Sequence, residues 1–131
     1  MLAQQRFDAL LVELMERLDL TTRHQVYAVL FGFLRVFRRR LDANQVLVFA
    51  GVLPAIVAAI FVRDWDPGQQ KLPFADPSSY DEEIRDVRRD HNLAPADARR
   101  IVAASIRSRC DKAAFAAALS RLPAGAAAFW E

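Results

Sequence analysis

Residues 46–62, VLVFAGVLPAIVAAIFV, run for seventeen positions without a charged side chain, between Arg38-Arg39-Arg40 upstream and Arg63 downstream. Taken alone, the stretch has two readings. It is close to the length of a membrane span, which needs about 20 apolar residues. It also fits the buried hairpin of a small helical protein, two apolar helices meeting at Leu53-Pro54. Proline cannot continue a helix, yet its fixed φ suits the first turn of the next one. Which reading holds decides the class of the protein, and the flanking sequence makes the choice.

Upstream, Phe7, Leu11, Leu14 and Leu18 recur at helical spacing and predict an amphipathic helix ending at Asp19-Leu20. Glu13 and Arg17 fall four residues apart on its wet side. Thr22 and Gln25 have the capping-box spacing, in which side chain and backbone satisfy each other's orphan donors. They open a second helix over about Arg23–Arg40. Its Val, Leu, Phe and Tyr residues cover most of its circumference, so it is expected to be central and buried. Asp42 with Gln45 caps a third helix to about Val52, and the fourth runs from Pro54 to about Val62.

Downstream, DWDPGQQKLPFADP (64–77) is a linker, packed down through Trp65 and Phe74. Ser79 and Glu82 have capping-box spacing, and Tyr80, Ile84, Val87 and His91 repeat the first stripe. Pro95 then starts a helix to about Arg109, Asp111 caps another, and Leu122-Pro123 leads into a last short helix ending at Trp130.

The two halves correspond. Phe7, Leu11, Leu14 and Leu20 match Tyr80, Ile84, Val87 and Leu93 at an offset of 73; Asp42, Leu53, Pro54 and Phe61 match Asp111, Leu122, Pro123 and Trp130 at an offset of 69. The four residues lost between them amount to about one helical turn. The counterpart of 46–62 is therefore 115–131, FAAALSRLPAGAAAFWE, which carries Arg121 near its middle. An arginine at bilayer depth costs at least about 2.5 kcal/mol, and two copies of one unit share one environment. The hairpin reading wins, and no membrane span is expected.

Several of these residues resemble a known pattern: Phe7 twelve positions before Leu20, the Leu53-Pro54 joint, Phe61 leading to Trp65-Asp66-Pro67, and Tyr80 reopening the repeat toward Leu93. They are similar to the bacterial family called domain of unknown function 2267, over nearly the whole chain. The resemblance implies an all-helical, pseudo-symmetric cytoplasmic protein; it brings no catalytic residues. The chain departs from the pattern in its shortened second helix of half two and that half's Ala-rich end.

Composition excludes little else. The 131 residues are 53% hydrophobic and 26% charged with a net charge of +2, so no nucleic-acid or membrane partner is forced. The N-terminus lacks a signal-peptide core, and the single cysteine, Cys110, cannot form an internal disulfide; a reducing cytoplasmic setting is expected. His24 and His91 have no metal-ligand neighbours, and no phosphate-loop, dinucleotide or nucleophile-elbow motif occurs, so no catalytic residue, metal or cofactor is assigned. Arg107, Arg109 and Lys112 stand where they would lower the Cys110 thiol, but a structural cysteine is the simpler reading. Asp66-Pro67-Gly68 has turn chemistry, as Asp64 and Asp76 do.

Arginine is the remaining signal, sixteen of the eighteen basic residues. Arg38, Arg39 and Arg40 end the second helix, and Arg107 and Arg109 end its counterpart; they complement helix dipoles or, alternatively, bind an anion or nucleic acid. Arg85, Arg88, Arg89, Arg99 and Arg100 interleave with acids and read as a solvated face.

The expectation is an all-α protein of two tandem pseudo-symmetric four-helix units packed into one compact helical domain. Residues 1–65 form the first, 66–78 a packed linker and 79–131 the second, shorter unit. A small soluble non-enzymatic protein-interaction or regulatory module is expected, using apolar surface that the Ala-rich half leaves uncovered, with a protein partner or self-association. Nucleic-acid binding is the alternative, and a pocket between the halves lined by Trp65, Phe74 and Tyr80 is a third reading.

Overall fold

A computed structural model describes residues 1–90 and 94–131. Its helices are α1 (Ala3–Arg17), α2 (Arg23–Arg38), α3 (Ala43–Ala50), α4 (Ala55–Phe61), α5 (Tyr80–Asp86), α6 (Ala98–Arg107), α7 (Lys112–Ser120) and α8 (Ala126–Phe129), with one 3-10 turn at Pro77–Ser79. No strand occurs among the described residues. The chain is all-α. The stripe position His91 and the repeat position Leu93 lie outside the described residues.

Residues 46–62 fold as the hairpin. α3 ends before Gly51, Pro54 caps α4, and among the described residues no helix is long and apolar enough to cross a membrane. The boundaries follow local chemistry. Thr22 Oγ1 accepts the Gln25 N–H at 3.1 Å while Gln25 Oε1 accepts the Thr22 N–H at 3.2 Å. Asp42 and Gln45 reciprocate in the same way at 2.8 Å each. α1 stops where Asp19 turns left-handed at φ 53 and Leu20 N–H reaches back to Met15 O, the bond that satisfies a helix's last carbonyls.

Two starts differ from expectation. Ser79 does not cap α5: its backbone is already helical and its hydroxyl donates to Asp76 O. Asp76 takes the capping role, accepting the Ser78 N–H at 2.9 Å, because Pro77 at the first position begins a 3-10 turn ahead of the helix. Pro95 likewise opens a turn, closed by Ala98 N–H to Pro95 O, and α6 begins three residues later at Ala98.

α2 is the centre, as its all-round apolar sequence predicts, and contacts α1, α4, α5 and α6. α1 lies against α6, and α2 against α5. Between them sits an aromatic cluster. The Phe37 ring centroid lies 5.0 Å from those of Phe49 and Phe129 and 5.5 Å from that of Trp130; Trp130 also meets Phe33 and Phe115. Burying such rings supplies much of a small domain's hydrophobic stabilisation, and edge-to-face pairs add about 0.5–1.5 kcal/mol each.

Candidate functional site

The arginines singled out from the sequence clasp helix ends. Arg38 is 7% exposed, and its guanidinium donates to Phe61 O at 2.9 Å, an orphan carbonyl of the last turn of α4, and to Arg63 O at 2.7 Å just beyond the helix. Arg107 makes the corresponding bond to Trp130 O at 3.1 Å, with both partners shifted by 69 residues. Arg40, 5% exposed, binds Val36 O, Pro73 O and, bidentately at 3.0 and 2.7 Å, the Glu83 carboxylate on α5. Arg39 shares Glu83 at 3.2 Å. Arg109 binds Ser105 O and Glu13 on α1, both at 2.9 Å. Thus Arg40 and Arg109 each bond the carbonyl four residues back and a carboxylate distant in sequence.

Glu13 keeps the expected pair with Arg17 and gains a closer partner in Arg109. The Arg17 pair is long, 3.8 Å, and Arg17 also donates to Ser105 Oγ at 2.6 Å. The Arg109 hydrogen bond holds the Glu13 carboxyl below the usual carboxylate range against the opposing effect of burial.

Arg99, expected among the solvated charges, is 6% exposed. It donates to the carbonyls of Ala128, Phe129 and Glu131 at 3.2, 2.5 and 3.0 Å, closing α8 as Arg38 closes α4. One signal was available: Arg99, Val102, Ala103 and Ile106 fall on a single helical stripe, so the arginine points inward.

Among the described residues, Trp65, Phe74 and Tyr80 have separate surroundings. Tyr80 is fully buried; its hydroxyl donates to Ala75 O and accepts the Ala75 N–H at 3.0 and 2.8 Å, and its ring meets Phe129 at 4.8 Å. Phe74 lies against Phe37 at 6.0 Å and so close to Gly125 that a Cβ there would meet Phe74 Cβ at 2.6 Å. Trp65 borders a cleft of about 20 Å³, about one water's room.

The Cys110 thiol is half-buried and donates to Ile106 O at 3.3 Å. Burial pushes it up to about 11, outweighing the neighbouring Arg107. Asp66 and Asp76 accept backbone N–H groups two residues ahead, which is turn chemistry. Among the described residues no three metal-ligating side chains converge.

Several faces stay open, a groove by Met1, Phe7 and Pro54 among them, and two stand out by their chemistry. On α3, Leu47 is 60% and Val48 40% exposed. The neighbouring α7, joined to α3 through Phe49 and Phe115 at 5.5 Å, exposes Ala113, Ala114, Ala116 and Ala117. The second is a groove of about 710 Å³ beside α2, bordered by His24, Tyr27, Phe31, Arg63, Asp64, Arg88 and Asp90. Tyr27 and Phe31 stack at 6.2 Å, Arg63 donates to the Tyr27 hydroxyl at 3.0 Å, and the Arg35 and Arg88 guanidiniums lie over the Phe31 ring at 4.5 and 5.6 Å. Burial holds Arg35 below the ordinary arginine range, and the charges of Arg39 and Arg88 push the same way against Asp64.

A chain of short helices around one arginine-clasped aromatic core defines an all-α helical protein. The family model for an uncharacterized conserved protein, DUF2267, matches residues 7–129, and the chain belongs to that family. No curated protein matches it.

Proposed function

We propose that the protein is a small non-enzymatic interaction module that pairs with a second copy of itself through the outer faces of α3 and α7. The observation that carries this reading is the exposure of Leu47 and Val48 on an otherwise charge-free helix. By the repeat correspondence these residues are the counterparts of Ala116 and Ala117. One helix thus offers large apolar side chains, and its neighbour a flat, small-residue surface. A two-fold rotation seats each on the other, the self-complementarity an isologous dimer requires. Interface centres are poor in charge, and here Asp42, Lys112 and Arg121 lie toward the helix ends.

The face is small. Helices of eight and nine residues span only about 12–14 Å, so a weak pairing in the micromolar range or above is expected. The reading treats the chain as two tandem units, supported by the matched arginine clasps. It places the protein in the cytoplasm, where a lone buried thiol stays reduced.

Light scattering from about 10 μM to 1 mM protein tests it. The wild type should show mass rising with concentration toward a dimer. Leu47→Glu/Val48→Lys should remain monomeric with an unchanged circular dichroism spectrum. A monomer throughout that range, or a dimer that survives both substitutions, overturns the proposal.

A further inference from the structure

The carboxylates around α5 are unevenly shared. Glu83 serves Arg39 and Arg40, Glu82 serves Arg85 and Arg89, and Asp86 serves Arg89. Among the described residues this leaves Arg35 and Arg88 with no carboxylate at ion-pair distance, although both stand over the ring of Phe31. Arg35 Nε is buried without a hydrogen-bond partner. Arg63, held by the Tyr27 hydroxyl, faces the same groove, and its contact with Asp64 is long, 3.9 Å.

We propose that this groove is a binding site for a small phosphate-bearing anion, gripped by Arg88 and Arg63, which border it, with Arg35 adding positive charge from its place over the Phe31 ring. Guanidinium forks match phosphate oxygens in pairs, and stacking on Phe31 pre-orients the planar groups. A volume of about 710 Å³ suits a small molecule. The charge pattern rules for a compact ligand over a polymer: Asp64 and Asp90 border the groove and the acids of α5 lie beyond it, so a long polyanion would cross repelling carboxylates. This site is separate from the α3–α7 face and from the helix-end arginines read in the sequence.

Calorimetric titration with inorganic phosphate and with adenosine monophosphate, at ionic strength matched with chloride, tests the proposal. Phosphate should bind. Arg88→Met and Arg63→Met, both exposed substitutions, should each weaken it at least about tenfold, while Arg121→Met leaves it unchanged. Tighter binding of the monophosphate assigns an ester as the ligand; equal binding assigns the free ion. The proposal is overturned if neither probe binds, or if phosphate binds Arg88→Met as it binds the wild type. Binding of a single-stranded oligonucleotide with a steep salt dependence, in place of phosphate, overturns it as well.

Discussion

Glu83→Ala should be among the most damaging surface-proximal substitutions in the chain, and the structure sets its size. Glu83 is bound bidentately by Arg40, whose side chain is 5% exposed, and by Arg39. Removing the carboxylate leaves the Arg40 charge buried with only the Val36 and Pro73 carbonyls and the Tyr80 ring, 5.0 Å away. An orphaned buried charge costs about 3–5 kcal/mol. Glu83 itself is 22% exposed, so water partly compensates, and about 2–4 kcal/mol is expected. At this chain length that lowers Tm by roughly 10 °C. Arg40→Met/Glu83→Ala removes both charges and should cost less than Glu83→Ala alone. Urea denaturation of the wild type, both single variants and the double variant forms the cycle. A cost for Glu83→Ala below about 1 kcal/mol, or a double variant equal to the sum of the singles, would refute the clasp.

Three further outcomes follow from the geometry. Gly125→Ala should cost at least about 2 kcal/mol by thermal unfolding, since Gly125 has φ 100 and the added Cβ would strike Phe74 Cβ at 2.6 Å. Cys110 should resist alkylation by iodoacetamide at pH 8 in the native state and react promptly in denaturant, because burial holds its thiol near 11. Glu13 is depressed in the folded state, so its stabilising contribution is present above its unfolded value of about 4.3 and fades as pH falls through the lower folded value. Glu13→Gln should flatten that acid limb in pH-dependent unfolding and leave the limb above pH 7 unchanged.

The features legible in the sequence are those written within a few residues. Thr22 with Gln25, Asp42 with Gln45 and Asp111 with Ala114 lie three apart and close as expected. α2 announced its burial by being apolar all round, and the Leu53-Pro54 joint forms as its residues dictate. Partners far apart in the chain were hidden. Glu13 meets Arg109 across 96 residues, so the local pair with Arg17 was the only one visible. Arg99 carried a signal, its place on the α6 stripe, that charge alternation around it masked. The apolar run at 46–62 is half-covered, with Phe49 buried and Leu47 and Val48 outside, because α7 packs on one side of α3 only. Of the candidate groove, Arg63 and Arg88 look like ordinary surface charges until α5 packs on α2.

The crossed packing of α1 on α6 and α2 on α5 bears on how such a chain can arise. If α1 corresponds to α5 and α2 to α6, these are one contact made twice. A shorter ancestral polypeptide holding a single unit would bare both surfaces and could shelter them only by exchanging helices with a twin. Fusing two copies head to tail turns that assembly into an intramolecular one, whose closure no longer depends on concentration. Each copy is then free to drift, one toward Phe and Val, the other toward Ala.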